Sequence, residues 1–242
     1  MIVQIYEIQT PQEAEKCIEL GVDHIGSVLL CQNEWRIPSI KEAIRLSDGT
    51  ESKNSLIPLF QDMDTLCRAL DYYRPDYIHF CESLTYNDGG KKDMDRNIQI
   101  QSNLKKKFPE IGIIRSLPIP QKDVKGGFPT LNIGKDLVEF TDIFLTDTWL
   151  GNEPVHGYIG ITGRPSDYKI AGELVQQSDI PVILAGGLSP DNVYDAVKNV
   201  LPAGADSCTK TNMLDGEGRP IRFKKDFSKV KKFVKEVRRA EK

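Results

Sequence analysis

Val182-Ile183-Leu184-Ala185-Gly186-Gly187-Leu188-Ser189-Pro190-Asp191-Asn192-Val193 passes from a wholly apolar, β-branched run through two glycines to a Ser-Pro pair, and its reading decides the fold. An apolar run without alternation is a strand covered on both faces, as in a parallel sheet flanked by helices. The glycine pair lets backbone N–H groups approach a ligand closely. Ser189 is a good N-cap and Pro190 a good first helical residue, so the positive end of a helix dipole is expected at the same point. A phosphate-sized anion suits such a junction; a bare chain turn is the alternative reading of the same glycines.

Outward from this junction, strand-like and helix-like runs alternate along the chain. Ile2 to Tyr6 reads as a first strand, followed by a helix in which Thr10 caps, Pro11 begins and Glu13 completes a capping box before Gly21 ends it. His24 to Leu30 is a second strand, with Ser39 and Glu42 capping its helix. Leu56 to Phe60 is a third, followed by a helix from about Asp64 to Tyr73, and Tyr77 to Phe80 is a fourth. Thr85 to Asn97 holds the turn-forming Asn87-Asp88-Gly89-Gly90 and is expected to be a long mobile loop, with the place of a lid, before a helix around Ile98 to Lys106.

Ile111 to Arg115 supplies strand five, Pro118 to Ile133 reads as loop around Gly126-Gly127, and Asp136 to Phe140 as a short helix. Ile143 to Thr146 is strand six with a helix over Asp167 to Gln177, Pro181 to Ala185 is strand seven with a helix from Pro190, and Ala205 to Cys208 is strand eight. The last helix, Phe227 to Val237, places Phe227, Val230, Phe233, Val234 and Val237 on one face. Eight β/α units in one rhythm predict the α/β class and a single closed (β/α)8 barrel of the TIM type over residues 1–242.

With 242 residues, 39% of them hydrophobic, the chain has enough for one barrel or two small domains, so the rhythm and not the length chooses. A formal charge of -3, from 32 basic and 35 acidic residues, argues against a nucleic-acid or membrane footprint and leaves a small molecule as the expected partner. The basic segment Lys224 to Lys242 commits its apolar face to packing and reads as a solvated helix face. No apolar run approaches the roughly 20 residues of a membrane span, and Met1-Ile2-Val3-Gln4-Ile5 opens directly into a strand, so a cytoplasmic location is expected. Cys17, Cys31, Cys67, Cys81 and Cys208 form no CxxC or His-Cys cluster; no disulfide framework, metal site or other cofactor is expected.

Four stretches share one order: Val3-Gln4-Ile5-Tyr6-Glu7-Ile8-Gln9-Thr10 with Gly21-Val22-Asp23-His24-Ile25-Gly26 behind it, Leu145-Thr146-Asp147-Thr148, Gly160-Ile161-Thr162-Gly163-Arg164-Pro165-Ser166-Asp167-Tyr168, and Leu184 to Val193 of the opening stretch. The first is similar to the opening Val-Lys-Ile-Cys-Gly-Ile-Thr of the phosphoribosylanthranilate isomerase family. The second resembles that family's strand-six Leu-Leu-Asp-Thr, the third its Gly-Gly-Thr/Ser-Gly-x-x-Phe-Asp-Trp phosphate loop, and the fourth matches best. The resemblance covers nearly the whole chain and is weakest between Thr85 and Ile133. It implies a barrel that binds a sugar phosphate between the loops after strands six, seven and eight and isomerises an aminoaldose to an aminoketose in tryptophan biosynthesis. The implied phosphate contacts are Thr162, Gly163, Gly186, Gly187, Thr209 and Lys210. Independently, backbone donors near Gly163, Gly186 and Gly187 suit the place where barrels commonly hold phosphate. Lys210 replaces a family glycine, and two roles are open to it: a charge in the cradle, or a side chain pointing into solvent.

An Amadori rearrangement needs an acid to help open the ribose ring and a base to take the C2 proton, roles that the family assigns to the strand-six Asp and the strand-one Cys. Asp147 stands at the first position; the second holds Tyr6, whose ordinary pKa near ~10 makes it a poor base at neutral pH. Glu7 replaces the adjacent glycine, and Gln4 stands where the family has Lys. Substitute bases are Glu7, whose pKa partial burial would raise, and Cys81, where the family has His. The alternatives are a solvent-facing loop residue and an inert packing residue. His79 faces the same way as Cys81 and is an expected substrate contact. So are Arg36, near the family's substrate-carboxylate arginine, and Arg115, which could clamp an anion; both read equally well as surface ion-pair partners. Three classes remain open: an acid–base enzyme, such as an isomerase, acting on a different phosphorylated sugar; the family isomerase with a displaced base; and a silent phosphosugar-binding relative. The unusual ionisable residues at strand ends favour the first over the third.

Overall fold

The turn out of the first strand is held by reciprocal hydrogen bonds. Thr10 Oγ1 accepts from the Glu13 amide at 3.3 Å, and the Glu13 carboxylate accepts from the Gln9 amide at 3.0 Å and from Thr10 Oγ1 at 3.1 Å. This capping box joins β1 (Ile2–Ile5) to α1 (Pro11–Glu19), with Pro11 supplying a fixed φ in the first turn. The computed structural model describes residues 1–122, 124 and 127–242; Gly126 of the expected Gly126-Gly127 turn lies outside the described residues.

The β/α alternation continues with β2 (His24–Leu29), α2 (Pro38–Arg45), β3 (Lys53–Pro58), α3 (Met63–Tyr73), β4 (Tyr77–Phe80), α4 (Asp95–Lys107), β5 (Gly112–Ile119) and α5 (Thr130–Leu137). It ends with β6 (Ile143–Thr148), α6 (Tyr168–Gln177), β7 (Val182–Leu184), α7 (Val193–Val200), β8 (Gly204–Ser207) and α8 (Phe227–Glu241). The eight strands are parallel and close in sequence order, β8 pairing back onto β1, so the fold is a single (β/α)8 TIM barrel. Among the described residues no helix is long and apolar enough to cross a membrane.

Several boundaries differ from the sequence reading, each for a local reason. Ser39 does not cap α2: Pro38 is already its first residue, and Ile37 is an N-cap with no side-chain bond. The helix expected from Pro190 begins at Val193. Ser189 to Asn192 forms a turn instead, with Asn192 Oδ1 accepting from the Ser189 amide at 2.7 Å and Asn192 Nδ2 donating to the Gly187 carbonyl at 3.1 Å. Strand β5 runs past Arg115 to Ile119 because β6 continues to pair with it, Pro118 opposite Asp147 and Ile119 opposite Thr148. Helix α5 occupies part of the segment read as loop, and the short helix read over Asp136 to Phe140 is the end of α5 followed by a 3-10 turn at Val138–Phe140. The 85–97 stretch divides: Thr85 bridges to Lys91, Met94 is buried, and residues 95–97 belong to α4.

Two features position the site. Tyr6, just past β1, lies across Gly26: a Cβ at Gly26 would stand 2.1 Å from the ring, so only glycine leaves room for the tyrosine inside the barrel. Between β8 and α8 the chain inserts an antiparallel hairpin of β9 (Asn212–Leu214) and β10 (Pro220–Lys225), which the sequence reading did not foresee. It lies at the C-terminal mouth of the barrel, where βα loops build active sites.

Candidate active site

The six residues expected to hold phosphate, Thr162, Gly163, Gly186, Gly187, Thr209 and Lys210, line one concavity between the loops after β6, β7 and β8. Gly186 and Gly187 adopt φ of +100° and +63°, and a Cβ on either would meet Thr148 Oγ1 at 2.5 Å or the Arg164 backbone at 2.6 Å. Both conformation and space therefore require glycine. Among the described residues, the amides of Gly163, Gly186 and Gly187 donate to no protein acceptor, which leaves them free for an anion. Lys210 is exposed, and its stem leans over Gly163, with Cε 3.7 Å from the glycine's Cβ position.

Below this cradle lie two carboxyl groups, Asp147 at the end of β6 and Asp206 on β8; both line the cradle and also a larger chamber over the barrel axis. Burial pushes the Asp147 carboxyl up to about 7, against the lowering effect of the Thr148 amide bonded to Oδ1 at 2.8 Å. Its other oxygen fills the space at Gly160, where a Cβ would stand only 2.2 Å away. Burial likewise raises Asp206 to about 7; the hydrogen bond from Gln4 Nε2 at 3.1 Å lowers it and the Asp147 charge raises it further. Gln4 is itself set by His24, whose Nδ1 bonds Gln4 Oε1 at 3.2 Å. Asp206 was missed by the sequence reading, although an acidic residue inside the otherwise small and apolar Gly204-Ala205-Asp206 run was a signal.

The chamber carries a chain of neutral hydroxyl and imidazole groups. Ser55 Oγ donates to the Tyr6 hydroxyl at 2.8 Å, that hydroxyl is 2.6 Å from His79 Nδ1, and His79 Nε2 is 2.8 Å from Ser116 Oγ. Burial, with Arg115 nearby, drives His79 down to about 3, so its ring is neutral at physiological pH. Tyr6 is raised well above its ordinary value, chiefly by burial. Both of its hydrogen-bonding roles are taken within the protein, and it is not a base.

Four expected site residues need correction. The Glu7 carboxyl is lowered, not raised: burial pushes it up, but hydrogen bonds from Arg222 (Nε to Oε1, 2.7 Å) and Asn212 (Nδ2 to Oε2, 3.1 Å), together with the charges of Lys225 and Arg222, outweigh burial. With the Phe223 amide also bonded at 3.2 Å, Glu7 is the anchor of the β9–β10 hairpin and not an available base. Cys81 does line the chamber, but burial pushes its thiol far up, which leaves it a packing group at neutral pH. Arg115 faces away from the chamber, since its neighbour Ser116 faces into it, and it forms a buried ion pair with Glu82. Arg36 is exposed and stacks on Tyr72 with its guanidinium 4.7 Å from the ring centre. The Tyr73 hydroxyl, bonded to the Trp35 carbonyl at 2.7 Å and the Ile37 amide at 2.8 Å, ties that segment to α3, away from the chamber. Of the expected substrate contacts only His79 lies in it.

No family model matches the chain. A phosphoribosylanthranilate isomerase of Methanosarcina acetivorans is 24% identical over 243 residues, covering 98% of this chain and 92% of the relative. One from Methanothrix thermoacetophila is 25% identical over 238 residues, covering 98% and 97%. Among solved structures, the isomerase of Pyrococcus furiosus superposes with a TM-score of 0.68 at 22% identity, covering 99% of both chains, a likeness that shows the fold. The chain is thus related over nearly its full length to the phosphoribosylanthranilate isomerase family.

Two outcomes follow from this geometry. Gly187→Ala should weaken phosphate or sulfate binding about tenfold or more, a loss of about 1.4 kcal/mol, because the added Cβ displaces the Arg164 backbone; calorimetric titration of both proteins reads it. For the carboxyl pair, the unfolded chain releases these protons near pH 4 and the folded protein near pH 7, so stability falls as pH rises through that window. Asp147→Asn and Asp206→Asn should therefore each raise Tm at pH 8, by about 2 °C or more for a protein of this size, with the gain vanishing near pH 4 in a thermal melt series.

Proposed function

We propose that the protein is an acid–base enzyme that isomerises a phosphorylated sugar. The phosphate is held by the glycine loops and Lys210, and proton transfer is carried by Asp147 and Asp206. The observation that supports this reading most directly is the placement of two carboxyl groups, each raised to about 7, on the floor common to the anion cradle and the chamber. Raised to about 7, each carboxyl is part ionised and part protonated at neutral pH, so that between them they supply both partners of an aldose–ketose shift: an ionised one takes the proton from the carbon next to the carbonyl, and a protonated one delivers a proton to the oxygen. The neutral Tyr6–His79–Ser116 chain holds the chamber's polar side in one arrangement without competing for that proton. The names of the relatives, all isomerases of a phosphoribosyl compound, support the same reaction class.

Phosphoribosylanthranilate isomerisation itself is a second reading. It is favoured by the apolar chamber wall of Val28, Ile57, Leu59, Leu145 and Ile159, which suits an aromatic ring, and by the relatives' names. Against it stands Tyr6 at the position of the strand-one base. A base on β8 reaches the substrate from another side, and a misplacement of about 1 Å can cost on the order of 10²-fold in rate.

Proton exchange tests the main reading. Incubated in D2O with ribulose 5-phosphate, the protein should catalyse deuterium incorporation beside the carbonyl, with an optimum near pH 7, read by NMR. Asp147→Asn and Asp206→Asn should each slow it about 10²-fold; no exchange above the blank, or variants as fast as the parent, would refute the assignment. For the second reading, expression at normal levels in a tryptophan auxotroph lacking phosphoribosylanthranilate isomerase is expected not to restore growth, and restored growth would identify the reaction as that one.

A further inference from the structure

We infer that Ser116, in β5, donates a hydrogen bond to an uncharged oxygen of the substrate, a carbonyl or hydroxyl oxygen of the sugar. This rests on the phosphosugar reading above and adds to it a residue that holds the sugar itself. Four buried side chains from four strands form one hydrogen-bonded row across the barrel interior: Ser55 of β3, Tyr6 just past β1, His79 of β4 and Ser116. Tyr6, His79 and Ser116 line the chamber, whereas Ser55 lies outside it. The row thus has a closed end at Ser55 and an open end at Ser116.

The closed end sets the direction of every bond in the row. Ser55 is fully buried, and among the described residues its hydroxyl meets only the Tyr6 hydroxyl, at 2.8 Å. If Tyr6 donated to it, the Ser55 proton would be buried without an acceptor, which is costly. Ser55 therefore donates to Tyr6, and Tyr6 gives its own proton to His79 Nδ1, 2.6 Å away. A neutral imidazole accepts at one nitrogen and donates at the other. Enclosure keeps this ring neutral, so Nε2 carries the proton and donates to Ser116 Oγ at 2.8 Å. Ser116 then keeps its own proton, for which the described residues offer no acceptor, and the chamber is the space left for it. Each bond in such a row polarises the next, which strengthens the last donor. The donor is uncharged, which suits the carbonyl and hydroxyl oxygens of a sugar. Ser116 lines the chamber but not the cradle, whereas Asp147 and Asp206 line both, so the oxygen it holds lies away from the phosphate, on the chamber side of the carboxyls.

The test compares inorganic phosphate, which reads the cradle alone, with ribose 5-phosphate, ribulose 5-phosphate and fructose 6-phosphate. By calorimetry, the parent protein should bind at least one sugar phosphate about tenfold or more tightly than inorganic phosphate. In Ser116→Ala that ratio should fall about fivefold or more while affinity for inorganic phosphate is kept within about twofold. Nitrogen-15 NMR of the imidazole reads the direction of the row: His79 should be the Nε2–H tautomer alone in the parent. In Tyr6→Phe, Nδ1 loses its donor and the Ser116 proton is free to turn to Nε2, so the tautomers should mix and the binding ratio should fall about threefold. That variant serves as the binding test if Ser116→Ala does not fold. The Nδ1–H tautomer in the parent, or an unchanged ratio in the variant, overturns the role of Ser116 alone. A parent that binds none of the three sugar phosphates more tightly than inorganic phosphate overturns the phosphosugar reading together with it.

Discussion

Closure of β8 onto β1 is the constraint on which the remainder depends. The register pairs Ile2 with Gly204, Val3 with Ala205, Gln4 with Asp206 and Ile5 with Ser207. It leaves no room for error, since a Cβ at Gly204 would stand 2.7 Å from Ile2. The same register that completes the barrel brings Gln4 beside Asp206, so the first and last strands jointly set the second carboxyl of the pair. A slip of one residue would turn each side chain of β8 to the other face of the sheet and remove Asp206 from the site.

Inside the closed barrel, polarity is concentrated and nearly all of it is matched. His24, Gln4 and Asp206 form one chain; Ser55, Tyr6, His79 and Ser116 form another. Buried polar groups are tolerable when each has a partner, and such networks then hold one arrangement. The cost of burial is left standing on two carboxyls whose ionised forms lack a full set of donors.

Two arginine–glutamate pairs, one buried and one half-buried, show how one residue type serves different ends. Arg115 and Glu82 close on each other outside the chamber and tie the loop after β4 to β5. Arg222 and Glu7 tie the hairpin to the end of β1, but here the guanidinium also borders the chamber. Glu7 thus contributes to the site through the hairpin it holds. A carboxylate at a strand end is equally suited by sequence to be a base or an anchor, and three donors arriving from residues 212, 222 and 223 decide for the anchor.

Local chemistry was legible in the chain itself. The alternation of apolar runs with capped helices determined the barrel, and Thr10-Pro11 with Glu13 determined where the first helix starts, because these signals act between neighbours. The glycines at 163, 186 and 187 marked the concavity between the loops after β6, β7 and β8 because their backbone requirements are written in residue type. Asp147 was legible as a strand-end carboxyl. What the sequence could not determine depends on contacts between distant residues: that Asp206 joins Asp147, that Arg36 turns to Tyr72 and Arg115 to Glu82, and that a hairpin carries Arg222 to Glu7, 215 positions away. Direction of burial and choice of partner set the pKa and the role of an ionisable group, and both exist only once the barrel has closed.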